Sequence, residues 1–203
     1  DYMLRDSRAR ALVVSDQLWP KLVPLLGKLP HLQHVVVSGV MPTDSPVALH
    51  AFAPLCERAS PDFKPADTSP DEACFWLYSS GSTGAPKGTV HIHSSLMNTA
   101  ELFARPVLGL REDDLVFSAA KLFFAYGLGN GLSFPMAVGA TAVLMAERSM
   151  PEAVFKRLRA HRPSVFYGVP TLYASLLASP LLPARGELAL RLCTSAGEAL
   201  PAD

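Results

Sequence analysis

The densest anion-binding chemistry in the chain lies in Ser79-Ser80-Gly81-Ser82-Thr83-Gly84-Ala85-Pro86-Lys87-Gly88. Three glycines let backbone amides approach an anion closely, four hydroxyls donate to phosphate oxygens or reach a metal, and Lys87 supplies a point charge. Directly after an apolar strand such a loop suits a polyphosphate; a flexible surface loop is the other reading of the same composition. Spacing excludes two better-known loops. A Walker loop has glycine immediately before its lysine and Ser or Thr after it, whereas Lys87 stands between Pro86 and Gly88. Neither Ser80 nor Ser82 has glycine two places to each side, as a nucleophile elbow requires.

A second group is Lys121-Leu-Phe-Phe-Ala-Tyr-Gly-Leu-Gly-Asn130, between a strand and a helix, where α/β folds place ligands. Phe123, Phe124 and Tyr126 offer a flat apolar surface, and Ala125, Gly127 and Gly129 leave room for a ring. Plain core aromatics would give the same pattern. His91 and His93 alternate along a strand and share a face, as two metal ligands could, but no third cluster of Cys, His, Asp or Glu is evident nearby. Arg111-Glu112-Asp113-Asp114 reads as a solvated turn, and Lys156, Arg157 and Arg159 as the wet face of a helix.

The elements that position these groups alternate. Strands are expected at Ala11–Ser15, Val35–Val37, Ala73–Tyr78, Thr89–Ile92, Leu115–Ser118, Ala140–Leu144, Ser164–Tyr167 and Leu190–Thr194. Leu18, Leu22, Leu25 and Leu26 have helical spacing, with Pro20 near the start and Pro24 kinking or restarting the segment. Further helices are expected at Ala48–Arg58, from a Ser94 or Ser95 cap through Phe103, at Gly127–Val138, after Ser149 with its capping-box Glu152, and at Pro170–Ala178. Residues 60–71 read as a surface connector. Alternation of this kind predicts an α/β fold, a βαβ-type layered sheet with helices.

With 203 residues, 49% of them hydrophobic, 18 basic and 18 acidic, the chain can bury a core and carries no net charge. Neutrality without a basic cluster argues against nucleic acid or an anionic membrane as partner. Three scattered cysteines suggest buried thiols in a reducing, cytoplasmic setting rather than a disulfide framework. The apolar stretch Leu128–Met145 is interrupted by Gly129, Gly131, Pro135 and Gly139, so no membrane span is expected. Asp1–Asp6 resembles the end of one helix and Leu200–Asp203 the start of another, as in a piece of a longer enzyme.

The segment Ser79–Gly88 resembles the signature of the adenylate-forming superfamily, which includes acyl-CoA synthetases, peptide-synthetase adenylation domains and luciferases. Phe124-Ala125-Tyr126-Gly127, Tyr167-Gly-Val-Pro-Thr-Leu-Tyr173 and Thr194-Ser-Ala-Gly-Glu-Ala-Leu-Pro201 look like its benzoate-CoA ligase branch. By that resemblance residues 1–203 would be part of the large N-terminal AMP-binding domain, without its start and without the C-terminal lid. Ser79, Ser80, Gly81, Ser82, Thr83, Gly84 and Lys87 would wrap the ATP phosphates, with Lys87 and Thr83 catalytic and Ser79 the local candidate toward Mg²⁺. Phe124, Ala125, Tyr126, Gly127, Gly168 and Val169 would line the aryl and thiol-entry channel, and Ser195, Ala196, Gly197 and Glu198 would lie along the ring and adenine.

The implied reaction is activation of benzoate or a close aryl acid by MgATP, then transfer to coenzyme A, with the fragment alone inactive. Another acid (hydroxybenzoate, a halobenzoate or a fatty acid) and a noncatalytic nucleotide-binding subdomain stay open as alternatives.

Overall fold

The computed structural model describes residues 1–80 and 84–199. They form two compact units, one of Asp1–Thr68 with Tyr78–Thr89, the other of Ser69–Leu77 with Val90–Asp203.

In the first unit a short helix, Tyr2–Asp6 (α1), precedes a parallel sheet of Ala11–Ser15 (β1), His34–Ser38 (β2) and Ala48–Ala51 (β3), in that order. The connection from β1 to β2 is broken into a 3₁₀ turn, Trp19–Leu22 (α2) and a second 3₁₀ turn at Val23–Leu25. Pro20 and Pro24 each sit in the first turn of a piece, where a missing N–H costs nothing. Leu22, Leu26, Leu29 and Leu32 then pack against Val35 and Val37 of β2.

The helix expected over Ala48–Arg58 is corrected: its first four residues are β3, and only Phe52–Glu57 (α3) is helical. Leu49 pairs opposite Val35 and packs on the leucine core, so tertiary burial overrides the helix preference of Ala and Leu.

A two-stranded ribbon, Ala73–Ser80 (β4) and Pro86–Ile92 (β5), is divided between the units. Both strands run further toward the loop than expected, so Ser79, Ser80, Lys87 and Gly88 are strand residues. Pro86 is the first residue of its strand, a position that tolerates a missing donor.

The second unit holds a four-stranded, all-parallel sheet in the order β7-β6-β8-β9, from Thr141–Val143 (β7), Leu115–Ser118 (β6), Val165–Gly168 (β8) and Leu192–Ser195 (β9). Alternation along the strands supplies two apolar faces. Phe117 and Phe166 point to one, where Val154, Phe155 and Leu158 of Pro151–His161 (α7) and Leu172 and Leu176 of Pro170–Leu177 (α8) cover them. Val116, Val165 and Tyr167 point to the other. There they meet Ala100 and Ala104, in a π-turn that continues Ser94–Thr99 (α4), and Phe134. Phe134 opens the last part of a continuous helical segment made of Ala125–Leu128 (α5), a π-turn at Gly129–Ser133 and Phe134–Val138 (α6).

Four smaller expectations are corrected. Neither Ser94 nor Ser95 caps α4; the backbone N–H groups of His93 and Ser94 bond to the Glu72 and Pro70 carbonyls instead. Ser149 does not cap α7, because its hydroxyl donates to the Ala119 carbonyl at 2.8 Å. Asp114 is no part of a solvated turn: at 5% exposure it takes a bidentate bond from Arg191, which holds its carboxyl down at a pKa of about 2. The three cysteines are exposed rather than buried. No helix among the described residues is long and apolar enough to cross a membrane.

Candidate functional site

Parallel pairing aligns the carboxyl ends of β6, β8 and β9: Ser118 lies opposite Tyr167, and Gly168 opposite Ser195. Three segments singled out in the sequence therefore leave neighbouring strands at the same edge. They are 121–130 after β6, Gly168-Val169 at the end of β8, and Ser195–Glu198 at the end of β9. In an open α/β sheet this edge is where ligands bind, because the backbone turns there from strand to helix and leaves a crevice.

Hydrogen bonds fix the crevice walls. The Tyr126 hydroxyl of α5 lies 2.7 Å from Thr194 Oγ1, and Tyr173 of α8 donates to the Thr194 carbonyl at 2.8 Å. Burial pushes the Tyr126 phenol above its ordinary pKa, so it acts as a neutral hydroxyl. Its ring meets Tyr167 edge-on, 6.4 Å between centroids. The hydroxyls of Tyr167 and Ser195 are buried here without a hydrogen-bond partner among the described residues.

Backbone closeness explains the small residues. A Cβ on Gly127 would fall 2.0 Å from the Lys121 carbonyl oxygen, and one on Gly168 would fall 2.8 Å from the Tyr173 ring. Gly197 has φ +90 and faces Val169, with 3.8 Å from its Cβ position to Val169 Cγ1. Glu198 points back to α8, accepting from the Thr171 N–H at 3.3 Å and from its hydroxyl at 3.2 Å. The side chain is thus committed to the start of α8.

Phe123 and Phe124 depart from the expected pocket lining, since they are 73% and 57% exposed and pack on one another at a tilt, 4.5 Å between centroids. Of the expected wall, half-buried Tyr126, buried Gly127 and Gly168, and Val169 gather at the carboxyl edge of the sheet, with Ala125 exposed at the head of α5. Thr194, Tyr173 and Thr171 fall within the segments that carry the family resemblance, but no role was expected of them individually. A half-buried tyrosine hydroxyl needs a partner, and that need was the one available signal for Thr194.

In the other unit, Ser79, Ser80 and Lys87 are exposed on the ribbon strands, and Gly84 takes φ +93 with open space at its Cβ position. Gly81, Ser82 and Thr83 lie outside the described residues. Tyr78, next to Ser79, donates to Asp6 at 2.6 Å; that bond to a carboxylate raises its pKa to about 12. His91 stacks on Phe75 at 4.9 Å. No cluster of three or more His, Cys, Asp or Glu suited to a metal occurs among the described residues.

A family model described as "AMP-binding enzyme" matches residues 1–203. The chain is 67% identical over 203 residues to a benzoate–CoA ligase of Thauera aromatica, covering all of this chain and 37% of that protein. It is 47% identical to a 4-hydroxybenzoate–CoA/benzoate–CoA ligase of Rhodopseudomonas palustris, covering 99% of this chain and 36% of that one. Its structure is similar to that of a benzoate CoA ligase from Burkholderia xenovorans LB400, with TM-score 0.84, 54% identity, and coverage of 98% and 38%. It is also similar to the anthranilate CoA ligase AuaEII in complex with anthranoyl-AMP, with TM-score 0.91, 39% identity, and coverage of 99% and 38%. The chain therefore spans well under half the length of the relatives it matches.

Proposed function

Because this chain belongs to the AMP-binding enzyme family over its whole length, we propose that it is the phosphate-loop and acid-binding part of an acid–thiol ligase for benzoate or a close aryl acid. The observation that carries the reading is the shared carboxyl edge of β6, β8 and β9. It brings Tyr126, Gly127, Gly168, Val169 and the 195–198 turn around one crevice. The 67% identity to a benzoate–CoA ligase across that whole region supports the choice of acid.

The reaction has two steps. A benzoate oxygen attacks the α-phosphorus of ATP, the α–β anhydride bond breaks, and pyrophosphate leaves with the electron pair. The thiolate of coenzyme A then adds to the acyl carbonyl and AMP departs, giving the thioester. In the first step charge builds on the departing pyrophosphate, and Lys87 with the Ser79, Ser80, Ser82 and Thr83 hydroxyls would offset it by charge and hydrogen bonding. No side-chain nucleophile is required. For Mg²⁺ this chain offers the exposed Ser79 hydroxyl as a candidate contact, and the ion would supply Lewis-acid neutralisation of phosphate charge.

In the second unit the apolar wall excludes water from the mixed anhydride, and Gly168-Val169 border the path for the thiol. The test is acid-dependent pyrophosphate exchange by the full-length ligase that carries this chain, over a panel of acids. Benzoate and small ring-substituted benzoates are expected to support the fastest exchange, and K87A to lower it by about 100-fold. Preference for long aliphatic acids, or nucleotide binding with no exchange for any acid, would overturn the reading.

A further inference from the structure

One lysine at the proposed acid-binding edge directs its ammonium to backbone carbonyls. Lys121 stands in the segment that leaves β6, and its ammonium donates to the carbonyls of Met145 and Glu147. Those carbonyls belong to the segment leaving β7, the parallel neighbour of β6. Ser149 makes one more tie between the same two exits, to the Ala119 carbonyl. Glu147 is held from the far side by Arg157 of α7, Oε2 to Nη2 2.5 Å.

The backbone of Lys121 faces the other way. Its carbonyl accepts the Phe124 N–H at 3.0 Å and lies under Gly127, where a Cβ would come within 2.0 Å. A single residue therefore grips 145–147 with its side chain and seats the turn from Phe124 to Gly127 with its main chain.

We propose that Lys121 is a positioning residue for selection of the aryl acid, fixing the 121–127 segment against the β7 exit so that Tyr126 and Gly127 hold the ring at a set distance. The inference rests on the aryl-acid reading of the site. An ammonium shared by two carbonyls fixes both distances at once, whereas a neutral side chain leaves Ser149 as the remaining side-chain tie observed between the exits. Displacement of a substrate wall by about 1 Å is enough to cost a large factor in turnover.

The experiment compares wild-type full-length ligase with K121M, K121Q and K121R, measuring KM for benzoate, ATP and CoA and the preference for benzoate over bulkier 4-substituted benzoates. K121M is expected to raise the benzoate KM about tenfold, as loss of charged hydrogen bonds implies. KM for ATP should stay within about twofold, the preference for benzoate should narrow, and K121R should recover to within about threefold of wild type. K121Q, which keeps a polar head, is read by the same criteria where K121M is poorly soluble.

A benzoate KM unchanged within about twofold, or KM values for all three substrates rising in step, would overturn the assignment. A wild-type enzyme that prefers another acid sinks the proposed function instead, and the Lys121 comparison is then judged on that acid.

Discussion

Tyr126 Oη and Thr194 Oγ1 lie 2.7 Å apart although 68 residues separate them in sequence. The bond links α5, at the β6 exit, to β9, across the intervening β8. Tyr173 of α8 reaches the carbonyl of the same threonine. Thr194 is thus the point at which the segments leaving β6 and β8 are both tied to β9.

If the two hydroxyls act as a unit, Y126F and T194V should each lower stability by about 1 kcal/mol, and the double variant by little more than either alone. Urea denaturation of the full-length protein measures this. Losses that simply add would show that the hydroxyls find separate partners and that the bond does not couple the walls.

Gly127 makes a sharper demand, because the atom its side chain would strike is backbone and cannot rotate away. G127A should therefore cost about 3 kcal/mol or displace the 121–127 segment, with loss of benzoate activation well beyond the loss of ATP binding. G168A meets the far edge of the Tyr173 ring, which can shift, and should be milder on stability. Thermal unfolding of the two variants side by side decides it; equal losses would mean that the Lys121 carbonyl yields as easily as a side chain.

The parallel sheet was readable because its strands are short apolar runs between turn residues: β1 falls on Ala11–Ser15 and β6 on Leu115–Ser118, as their patterns predict. The small residues among the aromatics of 121–130 likewise marked Gly127, whereas Gly168 was marked by the family resemblance alone. Long-range polar partnering was not readable. Asp114 and Arg191 look like surface charges in sequence, and only the strand register brings them together 77 residues apart. The same holds for β3, where Ala48–Ala51 carries a helix-forming composition and becomes a strand by pairing with β2. Ser149 has the local signature of a cap, yet its hydroxyl serves the neighbouring strand exit. Local propensity says what a residue can do, and the ladder beside it decides what it does.

Thr171 and Glu198 connect the start of α8 to the turn after β9. On the proposed reading Val169, at the head of that helix, would border the acyl path and the 195–198 turn the nucleotide, so the contact would offer a route by which the two sides sense one another. T171V and E198A should each raise the KM for ATP and for benzoate by about threefold, and their effects should not multiply in the double variant. Kinetics of the four enzymes measure the coupling. Fully multiplicative effects would place the two side chains in independent roles.

Asp114 gives the pH prediction. Hydrogen bonds from Arg191, then from Ser164 and the Arg111 N–H, hold its pKa at about 2 in the folded protein, against 3.8 ordinarily. A depressed folded pKa means that the unfolded chain takes up the proton first, so the stabilisation is complete above about pH 4 and is lost as the pH falls toward 2. The shift corresponds to about 2 kcal/mol. D114N should lose this increment at neutral pH, together with a further penalty for leaving Arg191 without its carboxylate, about 3 kcal/mol in all. Its stability should also fall less steeply than that of wild type between pH 4 and pH 2. Urea midpoints taken across that range for both proteins test the sign as well as the size. Parallel curves would mean that Asp114 titrates alike in the folded and unfolded chains, and that the Arg191 contact holds the sheet edge by shape rather than by charge.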